Sequence, residues 1–355
     1  MAVVKSFPLL VLVSLAASLL SAEPRIKAIA RYSLGIPTFF SDREGWATGP
    51  GLSLWRTADG GRTWIKIETG LEGLEINGVY FQSSTEVWFR PVSAGNVLER
   101  VQPRGPLVVT FDGGINWKHE SLSNIEWSGE SMFSKGPNGP LWLGGVASRD
   151  LAWPTEKADC PQRIVGTTFF PVIFFRLSPT SAWQPQEIPV RNGCPVSLIQ
   201  FADERHGIAT AGSAILYTAD GGKHWTKTTP GGRTKSPSPI SHPVSVQFRE
   251  NEGWLACQGG EILKTTDRGE HWQQIVESGD LWANSNGFGT RGYAYFTAPD
   301  VGFTLGGDGE LFATRDRGRT WNKIETPEPM LGLSCAKNKC RLVSSENLYE
   351  IEGNR

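Results

Sequence analysis

The sequence predicts an all-β chain closed into a seven-bladed β-propeller, with six blades as the alternative. Three observations carry that expectation. A motif with four fixed positions occurs five times. An alternating apolar run ending in Gly-Trp, or a substitute for it, precedes each copy. The composition is turn-rich and aromatic, with 41 Gly, 23 Pro and 14 Trp among 355 residues.

The motif reads Thr, any residue, Asp, any residue, Gly, two residues, Trp. Its copies are Thr57 to Trp64, Thr110 to Trp117, Thr218 to Trp225, Thr265 to Trp272 and Thr314 to Trp321. The tryptophans lie 53, 108, 47 and 49 residues apart, so the long interval holds two periods. Arg176 to Trp183 fills it as a copy that keeps the Trp and has lost the Asp and Gly. Asp accepts hydrogen bonds from backbone N–H groups of its own turn, and Gly permits φ > 0. Asp59, Asp112, Asp220, Asp267 and Asp316 are therefore expected to close turns between the third and fourth strands of each blade. Trp64, Trp117, Trp225, Trp272 and Trp321 are expected to lie buried between blades.

The preceding runs end at Gly45-Trp46, Val87-Trp88, Leu141-Trp142, Gly207-Ile208, Gly253-Trp254 and Gly302-Phe303. A seventh unit, with Cys340 to Leu342 and then Asn347 to Ile351, has three strands and no box. The strand-like run Ile26 to Ser33 can supply its outer strand, closing the ring and removing an exposed edge.

Phe7 to Leu20 is an apolar run of fourteen residues behind Lys5. A bilayer span needs about 20 residues, so the run reads as an export signal. Cleavage is expected after Ala22, leaving residues 23–355 as one propeller domain, periplasmic or extracellular, monomeric and without a stable membrane anchor. Five cysteines remain, an odd number. The repeat register puts Cys160 and Cys194 on one face and Cys335 and Cys340 on either side of a short turn. The expected pairs are Cys160–Cys194 and Cys335–Cys340, with Cys257 reduced and buried.

The boxes match the Asp-box, or bacterial neuraminidase, repeat. Together with the Gly-Trp strands they resemble the photosystem II stability and assembly factor-like propellers over nearly the whole mature chain. The resemblance implies an exported, seven-bladed, non-catalytic protein that binds a protein partner through an arginine-bearing face, with no cofactor.

Strand order sorts the loops. Turns joining strands 1–2 and 3–4 lie on one face, and the remaining connections lie on the other, where the long insertions fall. Those loops carry Arg90, Arg100, Arg104, Arg149, Arg163, Arg191, Arg233 and Arg291, with Trp153 and Trp282. Arg and Trp are common interface anchors, so these ten residues form the candidate partner-binding face.

Charge is balanced, 35 basic against 36 acidic residues, which gives no field to attract nucleic acid. The alternative to a scaffold is a carbohydrate-active hydrolase of the sialidase-like group, for which a glycan would be the ligand. Gly35-Ile36-Pro37 has Gly where a sialidase has Arg, and no catalytic residue is assigned. The five histidines, His119, His206, His224, His242 and His271, show no metal spacing, so no metal is expected.

Overall fold

Short β-rich segments, many ended by a glycine-bearing turn, pair locally into hairpins, and six of the blades are meanders of consecutive strands. The computed structural model describes residues 24–71, 74–93, 107–120, 133–135, 141–147, 170–177, 181–186, 188–190, 196–231, 240–277 and 293–353. Their strands form seven antiparallel four-stranded sheets.

Blade 1 is β2 (Thr38–Phe39), β3 (Gly45–Thr48), β4 (Leu54–Thr57) and β5 (Ile65–Ile67). Blade 2 is β6 (Leu74–Phe81), β7 (Val87–Ser93), β8 (Leu107–Thr110) and β9 (Lys118–Glu120). Blade 3 is β10 (Phe133–Lys135), β11 (Leu141–Ala147), β12 (Phe170–Arg176) and β13 (Gln184–Gln186). Blade 4 is β14 (Val196–Phe201), β15 (Gly207–Ala211), β16 (Ala214–Thr218) and β17 (Thr226–Thr228). Blade 5 is β18 (Pro243–Arg249), β19 (Glu252–Cys257), β20 (Ile262–Thr265) and β21 (Gln273–Val276). Blade 6 is β22 (Ala294–Phe296), β23 (Gly302–Leu305), β24 (Leu311–Thr314) and β25 (Asn322–Ile324).

Blade 7 joins the two ends of the chain. β26 (Gly332–Ala336), β27 (Lys339–Val343) and β28 (Asn347–Glu352) are completed by β1 (Arg25–Arg31), which pairs antiparallel with β28 from Arg25↔Glu352 to Arg31↔Asn347. The expected closing strand thus forms, and the ring has seven blades. First strands of neighbouring blades meet, as β14 with β18 and β2 with β26, so they are innermost and the fourth strands face outward.

The apolar core is a set of seven layers, one between each pair of adjacent blades. Trp142 of β11, for example, packs with Ile199, Leu216 and Trp225 of blade 4. Cys257, the free buried cysteine, lies in the layer between blades 4 and 5. Cys335 and Cys340 are bonded across the β26–β27 turn, as their register requires. Cys160, Cys194 and the export signal lie outside the described residues.

One expectation about the boxes needs adjusting. Trp225 and Trp272 are buried, at 5% and 2% exposure, but Trp64, Trp117 and Trp321 are only half-buried. Each box Trp opens the outermost strand, so one edge of its indole meets solvent. The indole N–H of Trp64, Trp272 and Trp321 donates to the carbonyl of its own box Gly, at 2.9 to 3.1 Å, so the polar edge is satisfied whether the ring is buried or half in water. His224 and His271 take part in the boxes as well, donating from Nδ1 to the box carboxylates.

Candidate binding face

The two faces of the ring differ in regularity. Counted between strand ends, the 3–4 connections of blades 1 to 6 each have seven residues: 58–64, 111–117, 177–183, 219–225, 266–272 and 315–321. Blade 3 keeps the length even though its box has decayed. On the opposite face, connections run from 212–213 in blade 4 to 148–169 in blade 3, with 94–106, 229–242 and 277–293 also long.

The box turns are uniform because one hydrogen-bond pattern closes them. The Thr hydroxyl donates to Asp Oδ1 at 2.7 to 2.9 Å and accepts the Gly N–H four residues on at 2.8 to 3.0 Å. Asp Oδ1 then accepts the backbone N–H four residues after it, at 2.8 to 3.0 Å. Thr63, Asn116, His224, His271 and Thr320, the side chains at that position, hold Oδ2 at 2.6 to 2.8 Å. Hydrogen bonds from Asn116, backbone and side chain, hold the Asp112 carboxyl down at about 2. Burial raises Asp59 and Asp220, but bonds from their turns outweigh it and leave both at about 2.

In blades 5 and 6 the residue between the box Asp and Gly, glycine in the other three boxes, is Arg268 or Arg317, each at positive φ (60° and 67°). Each reaches a carboxylate of the preceding blade, Arg268 Nε to Asp203 at 3.0 Å and Arg317 Nη1 to Glu252 at 3.2 Å. The box face therefore spends its ionic groups on the turns and on stitching blades together. Asp267, Glu270 and His271 gather on it, but the first and last are already bonded within their turn.

On the insertion-bearing face, Arg90 is the described member of the candidate set. It belongs to β7 and is 4% exposed, so it sits within the blade rather than on a loop. Burial lowers its guanidinium to about 10, opposed by Tyr80. Arg100, Arg104, Arg149, Trp153, Arg163, Arg191, Arg233, Trp282 and Arg291 lie outside the described residues.

The same face carries a feature that sequence reading missed, a cleft of about 410 Å³ between blades 1 and 2. Its walls come from the 2–3 turn of blade 1, the connection after β5 and the near ends of β6 and β7. The leucines of Glu68-Thr-Gly-Leu71-Glu-Gly-Leu74, apolar residues in a glycine-bearing connection, were the available signal.

Residues 176–282 match the family described as photosynthesis system II assembly factor YCF48. The chain resembles that family. No curated protein matches it by sequence. Among solved structures, a YCF48 bound to a D1 peptide superposes with a TM-score of 0.57 at 18% identity, over 92% of this chain and 96% of that one. YCF48 from Cyanidioschyzon merolae gives 0.54 at 16%, over 92% and 98%. A catalytically inactive virginiamycin B lyase from Staphylococcus aureus with quinupristin gives 0.60 at 14%, over 93% and 99%. At these identities the likeness to solved structures is one of fold. A ring shared by a YCF48 and a lyase leaves function to be argued from the faces.

Proposed function

We propose that this YCF48-like propeller is an exported, non-catalytic scaffold that binds a protein partner through its insertion-bearing face. One observation carries the reading. Counted between strand ends, connections run only from two to seven residues on the face whose polar groups close the turns and from two to 22 on the other. Binding surfaces are built from variable loops on a rigid support. The family match and the peptide-bound YCF48 support a protein as the partner, as does the basic character of the insertions.

The test compares two charge-reversed sets. Arg100, Arg104, Arg163 and Arg233 changed together to Glu are expected to abolish partner capture from a native extract while the melting temperature is kept. Lys223 and Arg319, exposed on the box turns, serve as the control and are expected to leave capture unchanged. Equal losses from both sets, or none from either, would refute the assignment of the face. Glycan turnover lost with the first set would support the hydrolase alternative. Export has its own check: N-terminal sequencing of protein recovered outside the cytoplasm should begin at Glu23.

A further inference from the structure

We propose that the box face of blades 2 and 3 rests reversibly on a lipid bilayer surface, with Phe111, Ile115 and Leu177 entering its interfacial layer. The contact is separate from the insertion-bearing face and leaves that face free for a partner. Among the described residues six large apolar side chains are well exposed, and these three fall in the 3–4 turns of neighbouring blades, at 39%, 80% and 70%. The other boxes place different residues there. Ala58, Ala219, Thr266 and Arg315 stand where Phe111 and Leu177 do, and Arg62, Lys223, Glu270 and Arg319 where Ile115 does. The turn itself therefore needs no apolar residue at either place. Phe111 and Leu177 are linked across the blade boundary. Phe111 lies edge-on to Trp88 with ring centres 5.8 Å apart, and Arg176, next to Leu177, stacks over the same ring. Ile115 is held at its tip by its backbone N–H, which donates to Asp112 Oδ1 at 3.1 Å.

Charge separates this sector from the rest of the face. The 1–2 and 3–4 turns of blades 2 and 3 are residues 82–86, 111–117, 136–140 and 177–183, and their charged residues are Glu86 and Asp112. Glu86 is buried and accepts the Trp88 indole N–H at 3.0 Å, and the Asp112 carboxylate is bonded within its own turn. The same two turns of blade 4 carry Asp203, Glu204, Arg205, Asp220 and Lys223. At the strand ends bordering the apolar sector the charged residues are Lys118, Lys135 and Arg176, cations that suit the phosphate layer of a bilayer. Apolar turn tips without free carboxylates can enter that layer without stripping an ion of water.

Where the chain enters the fold selects the occupant. Arg25 of β1 pairs with Glu352, the last residue of β28, so β1 starts at the end of blade 7 that lies on the box face. Five residues, at most about 18 Å of extended chain, separate Arg25 from the apolar run Phe7 to Leu20. On the export reading, a membrane that holds that run faces the box turns. A second copy of the chain fits less well, because three side chains fall well short of the roughly 800 Å² that each partner buries in a stable protein interface.

The test mixes the full chain, carrying labelled methyl groups, with phosphatidylcholine bicelles doped with lipid bearing a nitroxide on its acyl chain. The Ile115 and Leu177 methyls are expected to broaden. Those of Leu74 and Leu331, exposed at the opposite ends of their blades, are expected to stay sharp. Phe111→Ala, Ile115→Lys and Leu177→Ala together install residue types that the blade 4 turn already carries. In protein recovered after export, this triple variant is expected to bind phosphatidylcholine vesicles at least tenfold more weakly while partner capture is unchanged. Should Phe111→Ala cost folding through Trp88, Ile115→Lys with Leu177→Ala repeats the measurement. Broadening at Leu74 and Leu331 instead, no broadening, or undiminished vesicle binding by the variants would overturn the proposal. So would a dimer in sedimentation velocity that the triple substitution dissolves, since the patch would then seat a second copy.

Discussion

Arg341 occupies the place that tryptophan holds in other blades. Cys340↔Ile351 in blade 7 corresponds to Gly45↔Thr57 in blade 1, which aligns Arg341 with Trp46. Trp46 donates its indole N–H to the Ser84 carbonyl of the next blade. Arg341 does the equivalent across the ring closure, donating to the carbonyls of Gly60 at 3.2 Å and Asp42 at 2.6 Å, with its guanidinium 3.9 Å from the Phe39 ring. Arg176 is a second such case. At the Thr position of the decayed box, it lies between the rings of Trp88 and Trp183 and pairs with Glu120 at 2.9 Å. Both are 3% exposed or less, so both are paired from within the fold. Arg341→Ala would leave a cavity and two carbonyls without a donor, and urea unfolding should show a loss of about 3 kcal/mol or more. Trp225→Ala truncates a ring shared by blades 3 and 4 and should cost about 3–5 kcal/mol in the same measurement.

At the scale of the element, the box turn is a charge-dependent device. Asp59, Asp112 and Asp220 hold their protons less tightly folded than unfolded, at about 2 against an ordinary 3.8. Their stabilisation is therefore complete above the unfolded value and is lost as pH falls through about 2. Melting temperature should decline across that window, and the Asp→Asn triple variant should flatten the decline because Asn does not titrate there. The β26–β27 hairpin gives a contrasting case. Cys335 and Cys340 are five apart in sequence and already face each other in the ladder. Closing so short a loop restricts the unfolded chain little, so replacing both by Ser should cost about 2 kcal/mol, less than Trp225→Ala.

For the whole molecule, stability depends on the ring being closed. The seven apolar layers are each shared by two blades, so an open ring exposes the surface of two blades at once. Closure rests on β1, paired along β28 and joined to it by Lys27–Glu352 at 3.0 Å. An isolated ion pair that exposed contributes little, so the strand ladder and the layer beneath it carry the closure. Deleting residues up to Arg31 should therefore lower the melting temperature far more than Lys27→Ala, and should broaden the transition. Supplying the β1 segment as a peptide is expected to restore part of the loss in a thermal melt. Gln247 and Arg249 of β18 add a tie near the axis, both donating to the Phe296 carbonyl of blade 6, at 3.0 and 2.9 Å.

The sequence by itself determined the propeller repeat, the box turns, the closing strand and the Cys335–Cys340 pair, and left seven blades against six for the β1–β28 pairing to settle. Each follows from residues near one another in the chain or from a period that repeats: Asp59 and Thr63, four residues apart, bond each other within their own turn. It also indicated which face bears the insertions, because antiparallel order alone sorts the connections. Tertiary structure decided what depends on contacts between blades. Arg90 reads as a loop cation, yet the β7 ladder carries it into a blade, and desolvation lowers its affinity for its proton. Arg341 and Arg176 carry no sign of burial in the sequence, yet both complete apolar layers, because a guanidinium can stack on rings while its N–H groups reach backbone or carboxylate. The cleft has no signature in periodicity, since its walls come from two blades and three separate segments that meet only when the ring forms.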